Sequence, residues 1–163
     1  GSSMAAVNGQ IRVAEETLAR GQPTLGLCLG MQSMMTAAVR RSPGFESAIP
    51  AEVAPDEALH SFVPFADGRH RCGVFPFSSG LIPGDIREMH YNHRYCFNPE
   101  LLPALSPGGV SVSVQSDGIV EAVSQPELPF WHGVQGHPEL MSRPDAPHPL
   151  FVAFLQAALN APA

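Results

Sequence analysis

The chain contains no lysine: all nine of its basic residues are arginine, against 15 acidic residues and a net charge of −6. Positive charge this sparse and unclustered offers no footprint to a phosphate backbone, so nucleic acid is not an expected partner. Long apolar runs are also missing. None approaches the roughly 18–20 residues that cross a bilayer, which argues against a transmembrane helix and a membrane partner. Cysteine is scarce and odd in number, at three residues, so there is no disulfide framework of the secreted kind. The opening Gly1-Ser2-Ser3-Met4 has neither the basic nor the apolar stretch of a signal peptide. A cytoplasmic, reducing compartment is therefore expected.

The 163 residues are 44% apolar and only 15% charged. That is enough apolar surface for the core of a single domain over 1–163, and it excludes disorder by composition. Glycine and proline make up about a fifth of the chain, so many connections must be tight turns. Val7, Ile11, Ala14 and Leu18 recur at helical spacing and predict an amphipathic helix over 5–20. The apolar run 24–29 then reads as a strand, Gly30 as a sharp turn, and 31–40 as a second helix. Helix, buried strand, turn, helix is the grammar of a parallel α/β sheet. Residues 42–80 read as loops with short strands, one over Cys72–Phe77. Residues 86–97 read as a strand crossing a polar patch. In 110–123, Val110, Val112 and Val114 are expected on one face of a hairpin turning at Asp117-Gly118. A short strand follows over Phe130–Gln135. The terminal helix, His148–Leu159, is expected to bury Leu150, Phe151, Phe154, Leu155 and Ala158.

The sharpest local feature is Gly26-Leu27-Cys28-Leu29-Gly30, a thiol on a strand-to-helix turn between glycines. Such an elbow exposes its side chain at the sheet edge, and the following helix N-terminus favours a thiolate and supplies N–H groups to an oxyanion. A cysteine nucleophile needs a base, and the base needs a group to orient it. His137-Pro138-Glu139, at the end of a predicted strand, supplies both. A cysteine in an apolar strand is by itself more often a small buried hydrophobe, which is the reading for Cys72 and Cys96. The elbow glycines and the separate His-Pro-Glu turn the argument toward chemistry for Cys28.

Gly26 to Gln32 (GLCLGMQ) together with His137-Pro138-Glu139 resembles the class I glutamine amidotransferases and, within them, the glutaminase domains of CTP synthases. The stretches Gly44–Glu46, Glu52-Val53 with Pro55-Asp56, His93-Arg94-Tyr95 with Asn98, Ser142–Pro144 and Pro147–Phe154 extend the resemblance over nearly the whole chain. It implies a flavodoxin-like three-layer α/β sandwich with a mostly parallel central sheet, without the strands that open the family's domain. It implies that Cys28 attacks the glutamine carboxamide to form a γ-glutamyl thioester. His137 would then serve as base and acid, and Glu139 would orient it. The Leu29 N–H and Gly1 would hold the oxyanion. Gln32 and Glu52 would take the glutamine side chain and α-amino group, and Arg94 the α-carboxylate. Ammonia would pass to a separate synthetase partner, and no cofactor is implied.

Departures from the family pattern are specific. The resemblance begins at the end of the family's oxyanion loop, so the sheet is expected to have an open apolar edge and a tendency to associate, as a homo-oligomer for instance. Gly136 stands where the family has phenylalanine, which predicts a looser seat for the base. The run His90–Cys96 lacks several of the arginines and the acidic residue of CTP synthases, which puts substrate handling and coupling in question. No Gly-Lys-Ser/Thr phosphate loop is present, so ATP chemistry is not expected in this chain. Two other readings remain at this point: a hydrolase of another γ-glutamyl compound, and a non-catalytic binding module. Seven histidines invite a metal, but no ligand set completes the His90/His93 spacing and no metal site is expected.

Overall fold

The computed structural model describes residues 3–78, 80 and 82–161. Helix α1, Met4–Arg20, starts where the Ser3 side chain accepts from the Ala6 N–H. Its buried stripe is Val7, Ile11, Ala14 and Leu18, as the spacing predicts. Burying each of the larger three contributes about 1.5–3 kcal/mol. Strand β1, Thr24–Leu27, leads through Cys28 into α2, Leu29–Arg40, which is buried on every side from Met31 to Val39. A helix apolar all round belongs inside a layered fold rather than on its surface.

After α2 come β2 (Phe62–Pro64), β3 (Arg71–Pro76), β4 (Glu88–His93) and β5 (Tyr95–Phe97), paired antiparallel as β2–β5 and β3–β4. The 3-10 segment Pro99–Gly108, which sequence periodicity does not reveal, packs Leu101, Ala104 and Leu105 against α2. Strands β6 (Ser111–Ser116), β7 (Ile119–Ser124) and β8 (Trp131–Val134) precede the final helix α3, Pro149–Asn160.

The central sheet runs β1-β8-β7-β6. One apolar cluster joins one face to α1 and α2, and another joins the opposite face to α3 and the β3–β4 hairpin. This is the expected three-layer α/β arrangement. Within the described central sheet, parallel pairing is confined to β1 and β8; β8–β7 and β7–β6 are antiparallel. The reason is connection length, since the two-residue turn Asp117-Gly118, both residues at positive φ, can only return the chain antiparallel. Strand β1 is the edge of the described sheet, and its flank borders an apolar groove of about 380 Å³ lined by Val13, Ala14, Leu25 and Met34.

Two face assignments change. A register shift between Val112 and Val114 sends Val114 into the α3-side cluster, while Val110 and Val112 stay with α1 and α2. On α3, Leu150, Ala153, Phe154 and Ala157 form the packed face; Leu155 (58% exposed) and Ala158 face solvent. The helix is apolar nearly all round, so its own sequence does not fix its rotation. Cys72 is exposed rather than buried, because the β3–β4 hairpin leaves its outer face bare.

Candidate active site

The site sits where the parallel pair β1–β8 ends. Register matches Leu27 to Val134, and the Cys28 N–H donates to the Val134 carbonyl at 2.8 Å. Cys28 then turns with φ 48° and ψ −107°, a strained conformation for a residue with a side chain. The elbow is tight: a Cβ at Gly26 would lie 2.8 Å from the Gly30 carbonyl carbon and would strike the Met34 sulfur, so only glycine fits there. At Gly30 a Cβ would meet nothing, and the second elbow glycine is not required by space.

Burial is the largest effect on the Cys28 thiol and pushes its pKa up; the Glu52 and Glu139 charges push the same way. The Leu29 N–H and the Gln135 side-chain amide oppose them. Gln135 Nε2 donates to Sγ at 3.5 Å. Leu29 thus stands at the thiol, as an oxyanion donor must. Gly1, the other expected donor, lies outside the described residues.

His137 follows β8 and is fixed from both ends. Its N–H donates to the His90 carbonyl at 2.7 Å, and Nδ1 meets Glu139 Oε1 at 2.6 Å. Pro138 opens the 3-10 turn Pro138–Met141, which holds His137 and Glu139 two residues apart on a stiff segment. The carboxylate keeps the proton on Nδ1 and leaves Nε2 with the lone pair of a base. That Nε2 is buried and has no hydrogen-bond partner among the described residues. The looser seat expected from Gly136 is not what the structure has. A side chain there would strike Met89, which is fully buried, and would approach the His90 carbonyl oxygen to 2.9 Å. Strand β4 supplies the packing that a phenylalanine would give.

Cys28, Leu29, Gln32, Glu52 and Arg94 line one cavity of about 460 Å³. His137 and Glu139 are not among the lining residues, although the Glu139 charge reaches the Cys28 thiol. The cavity carries a carboxylate, Glu52, and a guanidinium, Arg94. Arg94 Nη2 donates to His70 Nδ1 at 3.3 Å, and His70 Nε2 donates to Asn92 Oδ1 at 2.6 Å. A ring nitrogen as partner leaves the Arg94 charge uncancelled by that contact. Five cavity or thiol neighbours escaped the sequence as site residues: His70, Asn92, His93, Tyr95 and Gln135. The signal for Gln135 was available, since pairing 24–27 with 131–134 in parallel sets it opposite Cys28.

His93 and His90 fall three apart on β4 and therefore point to opposite faces, so they cannot share an ion. His93 Nδ1 donates to the Tyr95 carbonyl at 2.8 Å, and the residue is buried. Burial lowers its pKa to about 4, the Arg71 charge helping and the Tyr95 contact opposing. The folded state therefore rejects a proton that the unfolded chain accepts below pH 6.5. Stability should be full above that value and fall by on the order of 3 kcal/mol as the pH drops toward 4. His132 and His148, both lowered by burial, add to the same trend. Urea melts between pH 7.5 and 4 read this directly, and His93→Phe should flatten the profile.

Among the described residues no helix is long and apolar enough to cross a membrane, and no three His, Cys, Asp or Glu side chains gather as metal ligands.

An elbow thiol, a carboxylate-oriented imidazole on the neighbouring strand end and a charged cavity define a cysteine amidotransferase-type site. The class I glutamine amidotransferase family model matches residues 1–157, and the chain belongs to that family. Within it, the chain is similar to CTP synthases. It is 34% identical over 171 residues to the enzyme of Clostridium perfringens, covering 94% of this chain and 32% of that protein. To that of Trichormus variabilis it is 35% identical over 173 residues, covering 94% and 31%. The chain thus spans about a third of the length of these relatives. The glutaminase domain of Trypanosoma brucei CTPS, solved with acivicin bound, shares the fold with a TM-score of 0.84 at 24% identity. That match covers all of this chain and 70% of the other.

Proposed function

We propose that the chain hydrolyses the side-chain amide of glutamine and supplies the ammonia to a synthetase, as a glutaminase module of the CTP synthase type. One observation carries this reading: the strained Cys28 elbow ends one strand while the His137–Glu139 pair follows its parallel neighbour, and Glu52 and Arg94 line the same cavity as Cys28. A free amino acid is a zwitterion, and a carboxylate with a guanidinium suits its ammonium and carboxylate ends.

The Cys28 sulfur attacks the carboxamide carbon as His137 takes the thiol proton. The oxyanion forms at the Leu29 N–H and the α2 N-terminus. His137 returns the proton to the leaving nitrogen, the C–N bond breaks, and ammonia departs from the γ-glutamyl thioester. His137 then deprotonates a water, which attacks the thioester; the C–S bond breaks, the proton returns to sulfur, and glutamate leaves. Glu139 holds the imidazole and stabilises its charged form. A reducing, cytoplasmic setting suits a reactive thiol.

Treatment with an electrophilic glutamine analogue, followed by peptide mass mapping, tests the reading. The adduct is expected on Cys28 and not on Cys72 or Cys96, and excess glutamine should protect. A folded chain that takes no adduct at Cys28 would overturn the assignment.

A further inference from the structure

Gln135 has no part in the scheme above, yet it is the side chain that hydrogen-bonds the nucleophile. It is 1% exposed, and its backbone N–H donates to the Glu121 carbonyl at 2.8 Å. Both ends of its amide are committed. Nε2 donates to Cys28 Sγ at 3.5 Å, and Oε1 accepts from Gln32 Nε2 at 3.3 Å. Gln32, 2% exposed, lines the cavity beside Cys28. The three residues form a chain from the cavity wall to the sulfur. His137 makes no such bond here, its Nε2 being without a partner among the described residues.

We propose that Gln135 is a positioning residue for the nucleophile: clamped by Gln32, its amide N–H holds the Cys28 sulfur and favours its reactive, anionic form. The inference rests on the reading of Cys28 as the nucleophile. Two physical arguments support it. A buried amide is retained at little loss only when its polar atoms are paired, and here the pairing reaches a sulfur and a cavity wall. Among the groups that act on Cys28, burial and two carboxylates disfavour the thiolate, while Gln135 and the Leu29 N–H favour it. Gln135 is the one of these two helpers that a substitution can remove, since the other is backbone. The device also couples substrate to nucleophile. A ligand that pulls on Gln32 moves the donor of the clamp and, through Gln135, the donor on sulfur.

The test is the pH dependence of Cys28 alkylation by iodoacetamide, followed by peptide mapping so that Cys72 and Cys96 are read apart. In Gln135→Met, which keeps the length of the side chain and removes the donor, the inflection should rise by about one pH unit. At a fixed pH below both inflections that is about a tenfold slower reaction. Gln135→Glu, which sets an acceptor against the sulfur, should move it further. Gln32→Met frees the clamp and leaves the donor, so it should shift the profile in the same direction by less. A role in packing alone would lower the melting temperature and leave the inflection in place. Folded variants of both Gln135 substitutions with the wild-type inflection would overturn the inference. Should Gln135→Met not fold, an unshifted Gln135→Glu profile overturns it equally. Iodoacetamide needs no glutamine site. If the wild type refuses the glutamine analogue while these profiles still separate, it is the glutaminase reading that fails and the Gln135 contact that stands.

Discussion

Glutamine hydrolysis should fall by at least about three orders of magnitude in Cys28→Ser, and by a similar factor in His137→Ala, because the two act as one unit. A serine hydroxyl at the elbow would be far harder to ionise, and the same buried surroundings that push the thiol up would oppose it more strongly. Without His137, neither the thiol proton nor the leaving nitrogen has a partner on the described strand ends. The double variant should be no worse than either single one. Ammonia release measured against glutamine concentration checks this. Activity in Cys28→Ser within tenfold of the wild type would refute the mechanism. The His137 result carries a second expectation: Glu139→Gln keeps the ring in place and should lose less, since half of the Glu139 side chain already faces water.

The second large effect concerns stability. Arg71, on β3, is paired with Glu121 on β7; their side chains are 10% and 1% exposed. The guanidinium lies 3.9 Å over the Tyr91 ring, and the Tyr91 hydroxyl donates to the other Glu121 oxygen at 2.9 Å. Burial and the Glu121 charge push that hydroxyl pKa up, so it stays a donor. Arg71→Leu would leave a buried carboxylate with a phenol as its remaining partner. A loss of about 3–5 kcal/mol is expected, a fall in melting temperature of about 10 °C for a chain this size. Replacing both partners, as Arg71→Leu with Glu121→Leu, should recover most of it, since the larger part is the stranded charge. A single variant melting within about 2 °C of the wild type would show that the pair is not what docks the hairpin. Function should follow stability here. The same hairpin presents the His90 carbonyl that holds the His137 N–H, and it carries His93 into the cavity.

The Cys28 elbow and the His-Pro-Glu turn were legible because each is local. Gly26 is demanded by the Gly30 backbone four residues away, and Pro138 stiffens its own neighbours. The α1 face was legible for the same reason, since Val7, Ile11, Ala14 and Leu18 interrupt polar residues at a period only a helix satisfies. The hairpin turn was legible through Asp117-Gly118, whose positive φ values select the antiparallel return. The face of Val114 was not, because a bulge reverses the alternation and nothing in the residue types marks it.

By itself, then, the sequence determined the helix α1, the thiol elbow and the stiff His-Pro-Glu turn. Each depends on steric and hydrogen-bond preferences that act within a few residues. Tertiary structure alone decided the rotation of α3, the antiparallel pairing of β7 with β8, the filling of the space at Gly136 by Met89, and the Gln135 contact to a sulfur 107 residues earlier. These are contacts between distant segments. They are set by which surfaces bury best against one another, and no local pattern encodes that choice.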